Sequence, residues 1–405
     1  MGSNDKVPRR VYGRGINHRL PEDAPIVGLG CSSFSNFFSG NDHDNVTIPL
    51  NPRHQRVVEW INTVREAIAS GVNLLDTAPW YGHGISETLI GLALTYDSAK
   101  ENNMEVVALN NFSRDDIIIN TKVGRYDAEP GNMFDFSASR VRSSILESIR
   151  RMKCNYIDVI QLHDPEFSPS IDLLIEKTIP ALFKMREEGY VRAVGITGYP
   201  LKVQHEIIVR SSEKGFLFDQ ALTYCHYNLH DQSLFESRSF KYDGETVSFF
   251  RFCSNQKIVC LAAAPLSMGL LTRKNPPDWH PASFELKESC KLASSQADDY
   301  GVNISDLAIL FALAREDIPC TLLGIRDRNE LKRAIALASR LKDFSGSSLH
   351  CILNSNEKSA ITAVNKQLAQ LPASMKEWDG EAVADHFWNE LGNRNEMERV
   401  MRENS

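Results

Sequence analysis

The sequence lacks any close pair of cysteines: its eight stand at 31, 154, 225, 253, 260, 290, 320 and 351, with no C-x-x-C. Disulfide frameworks belong to small secreted chains, and zinc sites need closely spaced ligands. The cysteines are therefore read as reduced and mostly buried, and no metal site is expected. No apolar run reaches the ~20 residues that cross a bilayer, which argues against a membrane-embedded chain. Positive charge is not in excess either. The 45 Lys and Arg face 52 Asp and Glu for a net −7, so neither nucleic acid nor an anionic membrane is an expected partner. The basic start, Lys6-Val7-Pro8-Arg9-Arg10, leads into no apolar stretch and is not read as a signal peptide. Met1-Gly2 invites myristoylation, but Lys6 stands where that motif wants Ser or Thr. Also missing is G-x-G-x-x-G. Gly13-Arg14-Gly15 lacks the third glycine and precedes no helical stripe, which speaks against a dinucleotide site of the Rossmann kind. These absences leave a cytoplasmic globular enzyme. Its 405 residues, 42% hydrophobic and 24% charged, are enough for a sizeable core.

Short apolar runs alternate with longer helical patterns from residue 26 to about 340. The runs fall at 26–30, 73–77, 117–123, 159–163, 193–197, 220–226, 258–264 and 320–325. Unbroken apolar runs suit strands covered on both faces, as in a parallel sheet wrapped by helices. Eight of them, each followed by room for a crossover helix, predict a closed (β/α)8 barrel over 26–345. Between them, Val57, Ile61, Val64 and Ile68 form one helical stripe, and Val141, Ile145, Ile149 and Met152 another. Ser137 and Ser305 are candidate N-caps, and Gly71 and Gly189 stand where helices should stop. Residues 1–25 are an extension that suits a hairpin plugging the barrel floor. The polar stretches 33–55 and 98–113 read as loop insertions. Residues 346–405 form a helical tail, with two places open to it: across the barrel mouth or against the outer wall.

In such a barrel, catalysis is built at the C-terminal strand ends and the loops after them. Those positions hold Asp76 and Tyr81 after the second run, Lys122 at the third and His163 at the fourth. A free phenol has a pKa near ~10, too high for acid–base work at neutral pH. An adjacent ammonium lowers that value, and a carboxylate holds the ammonium in place. Tyr81 then trades protons near pH 7 while His163 orients the reacting oxygen. This group suits interconversion of a carbonyl and an alcohol, with hydride exchanged at a nicotinamide.

Leu75-Asp76-Thr77-Ala78-Pro79-Trp80-Tyr81-Gly82 with Ser86-Glu87 resembles the signature of the aldo-keto reductase family. Thr121-Lys122-Val123 and Leu162-His163-Asp164 resemble its other two catalytic stations. The resemblance implies that Asp76, Tyr81, Lys122 and His163 are the catalytic tetrad. Phe134-Asp135-Phe136-Ser137-Ala138, His163-Asp164-Pro165-Glu166-Phe167, Tyr224-Cys225-His226-Tyr227 and Trp279-His280-Pro281-Ala282-Ser283 are similar to the branch acting on L-galactose and D-arabinose. That branch oxidises C1 of a cyclic aldose to the lactone with NAD(P)+, Tyr81 taking the hydroxyl proton.

The same resemblance implies an extended cofactor along the later strand ends. Thr197, Gly198 and Gln220 would meet the carboxamide, and Leu266, Ser267 and Gly269 the pyrophosphate. Gly324, Ile325, Arg326 and Glu330 would meet the adenosine end. Many family members carry Asn where this chain has Gly198, and a stacking tyrosine where it has Ala263. Glu330 takes the place of an arginine used for the 2′-phosphate, which favours NAD over NADP, although Arg326 and Arg328 stand close by. Trp80, Asp164, Glu166 and His226 are candidates for sugar hydroxyls, His226 equally a packed strand-end residue. Trp378 and Trp388 either belong to a core or close the pocket. Two other functions stay open: a general aldehyde or ketone reductase, and a nucleotide-binding regulatory barrel resembling channel β subunits. The chain is expected to be a monomer or weak homodimer.

Overall fold

A computed structural model describes residues 6–35, 50, 54–95, 106–109, 113–237, 240–342 and 349–405. Its strands in chain order are β1 (Arg9–Val11), β2 (Asp23–Pro25), β3 (Val27–Gly30), β4 (Leu74–Asp76), β5 (Ile118–Val123) and β6 (Ile157–His163). They continue with β7 (Val191–Gly198), β8 (Gln220–Tyr224), β9 (Phe240–Tyr242), β10 (Glu245–Val247), β11 (Val259–Ala263) and β12 (Thr321–Gly324). Eight of these, β3 to β8 with β11 and β12, form a closed parallel barrel, β12 pairing back onto β3. Each of the eight apolar runs supplies one barrel strand. Covered on both faces, such runs have no solvent side for polar residues to occupy.

Helices wrap the barrel. Gln55–Ala69 buries Val57, Ile61 and Val64, and ends before Gly71, whose φ of 87° no β-carbon favours. Ala138–Met152 buries Val141, Ile145 and Met152, and the Ser137 side chain caps it by accepting from the Arg140 amide. At Ile304–Leu313 the cap is Asn303 and not Ser305. Asn303 accepts from the Ser305 amide, so the helix begins two residues earlier than the serine suggested.

β1 and β2 pair antiparallel, and the hairpin brings Tyr12 fully buried into the apolar interior of the barrel with Leu20 and Ala24. Arg10 fastens it to the wall, its guanidinium donating to the carbonyls of Leu313, Arg315 and Ile318 at 2.6, 2.7 and 2.9 Å. A second hairpin, β9–β10, interrupts the path from β8 to β11. Its two-residue turn, Asp243-Gly244, has both φ values positive, the signature of an Asp-Gly hairpin turn. The segments 36–49, 51–53, 96–105 and 110–112, within and beside the stretches read as insertions, lie outside the described residues.

The tail does two things. Helix Ser355–Leu368 lies on helix Phe284–Asp298, joined through Gln296, Gln367 and Ser289. Beyond it, Trp378 stacks on Tyr199 at the end of the β7 unit, ring centroids 4.3 Å apart. Helix Gly380–Leu391 then sets Phe387 edge-on against the stacked pair Phe134 and Phe167. Trp388 is buried core. No helix among the described residues is long and apolar enough to cross a membrane.

Candidate active site

Parallel strands end together at one rim, so their last residues converge. Asp76 ends β4, Lys122 is next to last in β5, and His163 ends β6. Lys122 Nζ donates to Asp76 Oδ1 at 2.5 Å and to the Thr77 carbonyl at 2.8 Å. The other carboxylate oxygen of Asp76 accepts from Gln161 Nε2 at 3.0 Å. Tyr81 comes over this pair on the loop after β4. Lys122 Nζ lies 4.8 Å from the centroid of its ring, and His163 stands edge-on to the same ring at 6.2 Å. Lys122 is only 2% exposed, so its charge exists because Asp76 is there.

Burial and charge compete at each group. Burial pushes the Tyr81 phenol above its ordinary value, and Lys122, through charge and hydrogen bonding, pulls the other way without overcoming it. This corrects the expectation of a lowered phenol: the ammonium acts with the anticipated sign, but desolvation outweighs it. Burial alone would discharge Lys122, yet Asp76 and Tyr81 more than offset it and raise the ammonium. His163 is pulled down to about 3 by burial, against the carboxylate of Asp164. It is neutral at working pH, and its Nδ1 has no hydrogen-bond partner.

A model of the aldo/keto reductase family matches residues 53–346. The chain belongs to the aldo/keto reductase family. L-galactose dehydrogenase of Arabidopsis thaliana is 36% identical over 318 residues, 78% of this chain and 85% of that protein. D-arabinose 1-dehydrogenase of Saccharomyces cerevisiae is 32% identical over 279 residues, 67% and 74% of the two chains. Among solved structures, an aldo-keto reductase of Bacillus halodurans in its holo form superposes with a TM-score of 0.60 at 21% identity. It covers 92% of this chain and all of its own, a likeness of fold.

Around the tetrad of this aldo/keto reductase stands a polar rim. Arg125 Nη1 donates to Asp164 Oδ2 at 2.8 Å, while the guanidinium lies 4.1 Å above the Trp80 ring. Burial disfavours the Asp164 anion, and the Arg125 guanidinium favours it by charge and hydrogen bond. Glu166 differs. Burial, with the Asp164 charge beside it, pushes its carboxyl up to about 8. One oxygen of Glu166 accepts from the Tyr199 amide at 3.1 Å, and the other, Oε2, has no partner. A Cβ at residue 198 would lie 2.6 Å from that oxygen, so a larger residue there would push the Glu166 carboxyl aside.

The structure separates the remaining candidates. Thr197, Gly198, Leu266, Gly269, Gly324, Ile325 and Arg326 belong to β7, β12 or the loops following β11 and β12, on the rim side, and Glu330 to the first turn of the helix Arg328–Ser339 that comes next. Four positive-φ residues, Ala264, Ser267, Met268 and Gly269, crowd the loop after β11. Backbone strain of that density collects at binding loops. The Ser267 hydroxyl, however, is engaged with His230 Nε2 at 2.8 Å, so this side chain is committed inside the protein. Gln220 is corrected more strongly. It opens β8 at the opposite end from the rim, fully buried against Tyr12 and Gln161. His226 is also no hydroxyl ligand. It is 2% exposed, with Nε2 on the Tyr199 carbonyl at 2.6 Å and Nδ1 on Ser233 Oγ at 2.7 Å. Two carboxylates, Asp231 and the tail's Glu377, converge on its Nδ1 at 3.6 and 3.9 Å. Sequence reasoning missed this tie between barrel and tail, since its members lie up to 151 residues apart (377 − 226).

Proposed function

We propose that the protein oxidises C1 of an aldose of the L-galactose or D-arabinose type to the lactone, using a nicotinamide dinucleotide. The observation that carries this reading is the buried group at the strand ends: Lys122 Nζ stands 2.5 Å from Asp76 Oδ1 and 4.8 Å from the Tyr81 ring centroid, with His163 edge-on to the same ring. The sugar dehydrogenases among the relatives support the same substrate class.

The rim fits a dinucleotide in the chemistry of its residues. Thr197 and Gly198 would hold the nicotinamide end, Leu266 and Gly269 the middle, and Gly324, Ile325, Arg326 and Glu330 the adenosine end. The last of these adjoin a cleft of about 650 Å³ lined by His54, Arg56, Glu59, Arg328 and Lys332. A nicotinamide, when bound, exchanges hydride with the substrate carbon. Tyr81, as the phenolate that Lys122 stabilises, takes the C1 hydroxyl proton and becomes the neutral phenol, and neutral His163 holds the reacting oxygen. NAD is favoured over NADP because both candidate arginines already face carboxylates. Arg326 donates to Glu330 through its backbone amide, Nε and Nη2 at 2.8, 2.9 and 2.5 Å. Arg328 engages Glu59 at 3.0–3.1 Å. A 2′-phosphate would have to displace one of them.

Assaying L-galactose, D-arabinose and L-fucose in parallel with NAD+ and NADP+ tests the reading. Turnover of at least one sugar with the higher kcat/KM on NAD+ is expected. No turnover of any aldose would end the sugar assignment. A preference for NADP+ would mean that Arg328 gives up Glu59. One observation favours a second reading, aldehyde reduction: a phenol raised by burial is better kept as a proton donor at pH 7 than as a base. The two directions separate by pH. Because oxidation needs the phenolate, its turnover should climb from pH 6 without a plateau below about 9, the sign given by a phenol above its usual ~10. Reduction of an aldehyde should stay level over the same range. A flat oxidation profile would show that Tyr81 is not the titrating base.

A further inference from the structure

We propose that Tyr12, delivered by the hairpin at the barrel floor, is a positioning residue for the catalytic group, acting through Gln220 and Gln161 on Asp76. The inference rests on Asp76, Lys122 and Tyr81 working as one unit, and not on the identity of the sugar.

Much of the barrel interior is aliphatic, built of Leu74, Ile118, Val159, Leu222, Leu261 and Leu322, with the buried Asn120 a further polar side chain beside the Tyr12 hydroxyl. Branched aliphatic side chains are what such interiors normally hold. Through this filling runs a polar line whose members, Tyr12, Gln220 and Gln161, are fully buried. A leucine at each place would need no partners at all. Glutamines here are stable only if every amide atom facing the interior is matched in the right sense.

The sense is uniform. The Tyr12 hydroxyl donates to Gln220 Oε1. That turns Gln220 Nε2 toward Gln161 Oε1, at 3.3 Å, and leaves Gln161 Nε2 to donate to Asp76 Oδ2 at 3.0 Å. The two ends of an amide have nearly the same shape, so only the network decides which points where. Remove the hydroxyl and the donor that selects the Gln220 oxygen is lost. A flip of Gln220 sets oxygen against oxygen at Gln161. If Gln161 follows, its carbonyl meets the catalytic carboxylate. The floor phenol thus fixes the polarity of the group that touches Asp76, some way below the rim where Tyr81 works.

The consequence for chemistry follows from the two oxygens of Asp76. Oδ1 holds the ammonium of Lys122, and Oδ2 takes the donor from below. Negative charge drawn toward Oδ2 weighs less on Lys122 and on the phenol above it. Asp76 is among the groups that hold the phenol high, so weakening the donor line disfavours the phenolate further.

The test uses the full chain labelled with 15N, observing the side-chain N–H resonances of Gln161 and of the buried Lys122 ammonium at pH 7. Gln161→Leu and Lys122→Met identify the signals. In Tyr12→Phe, which keeps the ring and its packing, both signals should move and the Gln161 protons should exchange faster. Turnover should fall about three- to tenfold, the effect of weakening one hydrogen bond to a charged group, with KM little changed. In a Gln161→Leu background, adding Tyr12→Phe should change neither the Lys122 signal nor turnover further. A Lys122 signal unmoved by Tyr12→Phe overturns the proposal, and so does an effect that persists without Gln161. A fall in melting temperature alone, with the Lys122 signal unchanged, would assign Tyr12 a packing role only. If no aldose or aldehyde turns over, the proposed substrate fails while the two resonances still decide the line.

Discussion

Tyr81→Phe is expected to cut turnover by ~10²-fold or more while leaving cofactor affinity nearly unchanged, the usual worth of a general acid or base. The substitution removes one oxygen and keeps the ring, so the edge-on contact with His163 survives. His163 cannot stand in for the lost hydroxyl. An imidazole held near 3 has no proton to give at pH 7 beyond its neutral N–H, and is a weak base for a hydroxyl proton. Asp164 lies 3.6 Å from His163 Nε2, but its charge is bound up with Arg125. Steady-state kinetics on any accepted sugar or aldehyde, with cofactor binding followed by fluorescence, measures both quantities. Near-wild-type turnover would show that the proton leaves by another route.

The second large effect is expected at Lys122→Met. Methionine fills much the same volume, but Asp76 loses its ammonium and keeps only Gln161 and the surrounding interior. Breaking a buried ion pair by removing one partner costs about 3–5 kcal/mol of stability. Turnover should also drop by ~10²-fold, because the phenol loses the charge that opposes its desolvation. The stability loss should depend on pH in a defined direction. A buried carboxylate that has lost its cation is penalised in its charged form, and a free aspartate ionises near ~3.9. The penalty is therefore small below that pH, where both states carry the proton, and grows as pH rises through the folded value. Urea unfolding of the variant and the parent at pH 4.5 and pH 8 gives the comparison. A gap that is the same at both values would mean Asp76 finds another partner.

Much of this was legible before any coordinates. The eight strands could be read because each is a buried run without alternation, and a parallel barrel is the arrangement that covers such runs on both faces. Asp76, Lys122 and His163 could be placed because strand ends fix where side chains emerge. Gln220 was misplaced for a reason internal to that logic. The family resemblance put it at the carboxamide, yet it opens its strand, and in a parallel barrel the opening residue lies at the floor. His226 could not be judged, since its partners Tyr199 and Ser233 come from different loops and are invisible to local pattern. The direction of the Tyr81 shift was equally hidden. The ammonium is written in the sequence, but the burial that outweighs it is made by tertiary packing. The β9–β10 hairpin, by contrast, carried a readable mark in Asp243-Gly244.

The tail's hold on the rim separates two demands that compete in most enzymes. Trp378 on Tyr199, and Phe387 on Phe134 and Phe167, shape the doorway with residues that take no part in the strand ladder. Exchanges in this stretch touch none of the hydrogen-bonded barrel strands, so laboratory diversification of the rim is best begun there.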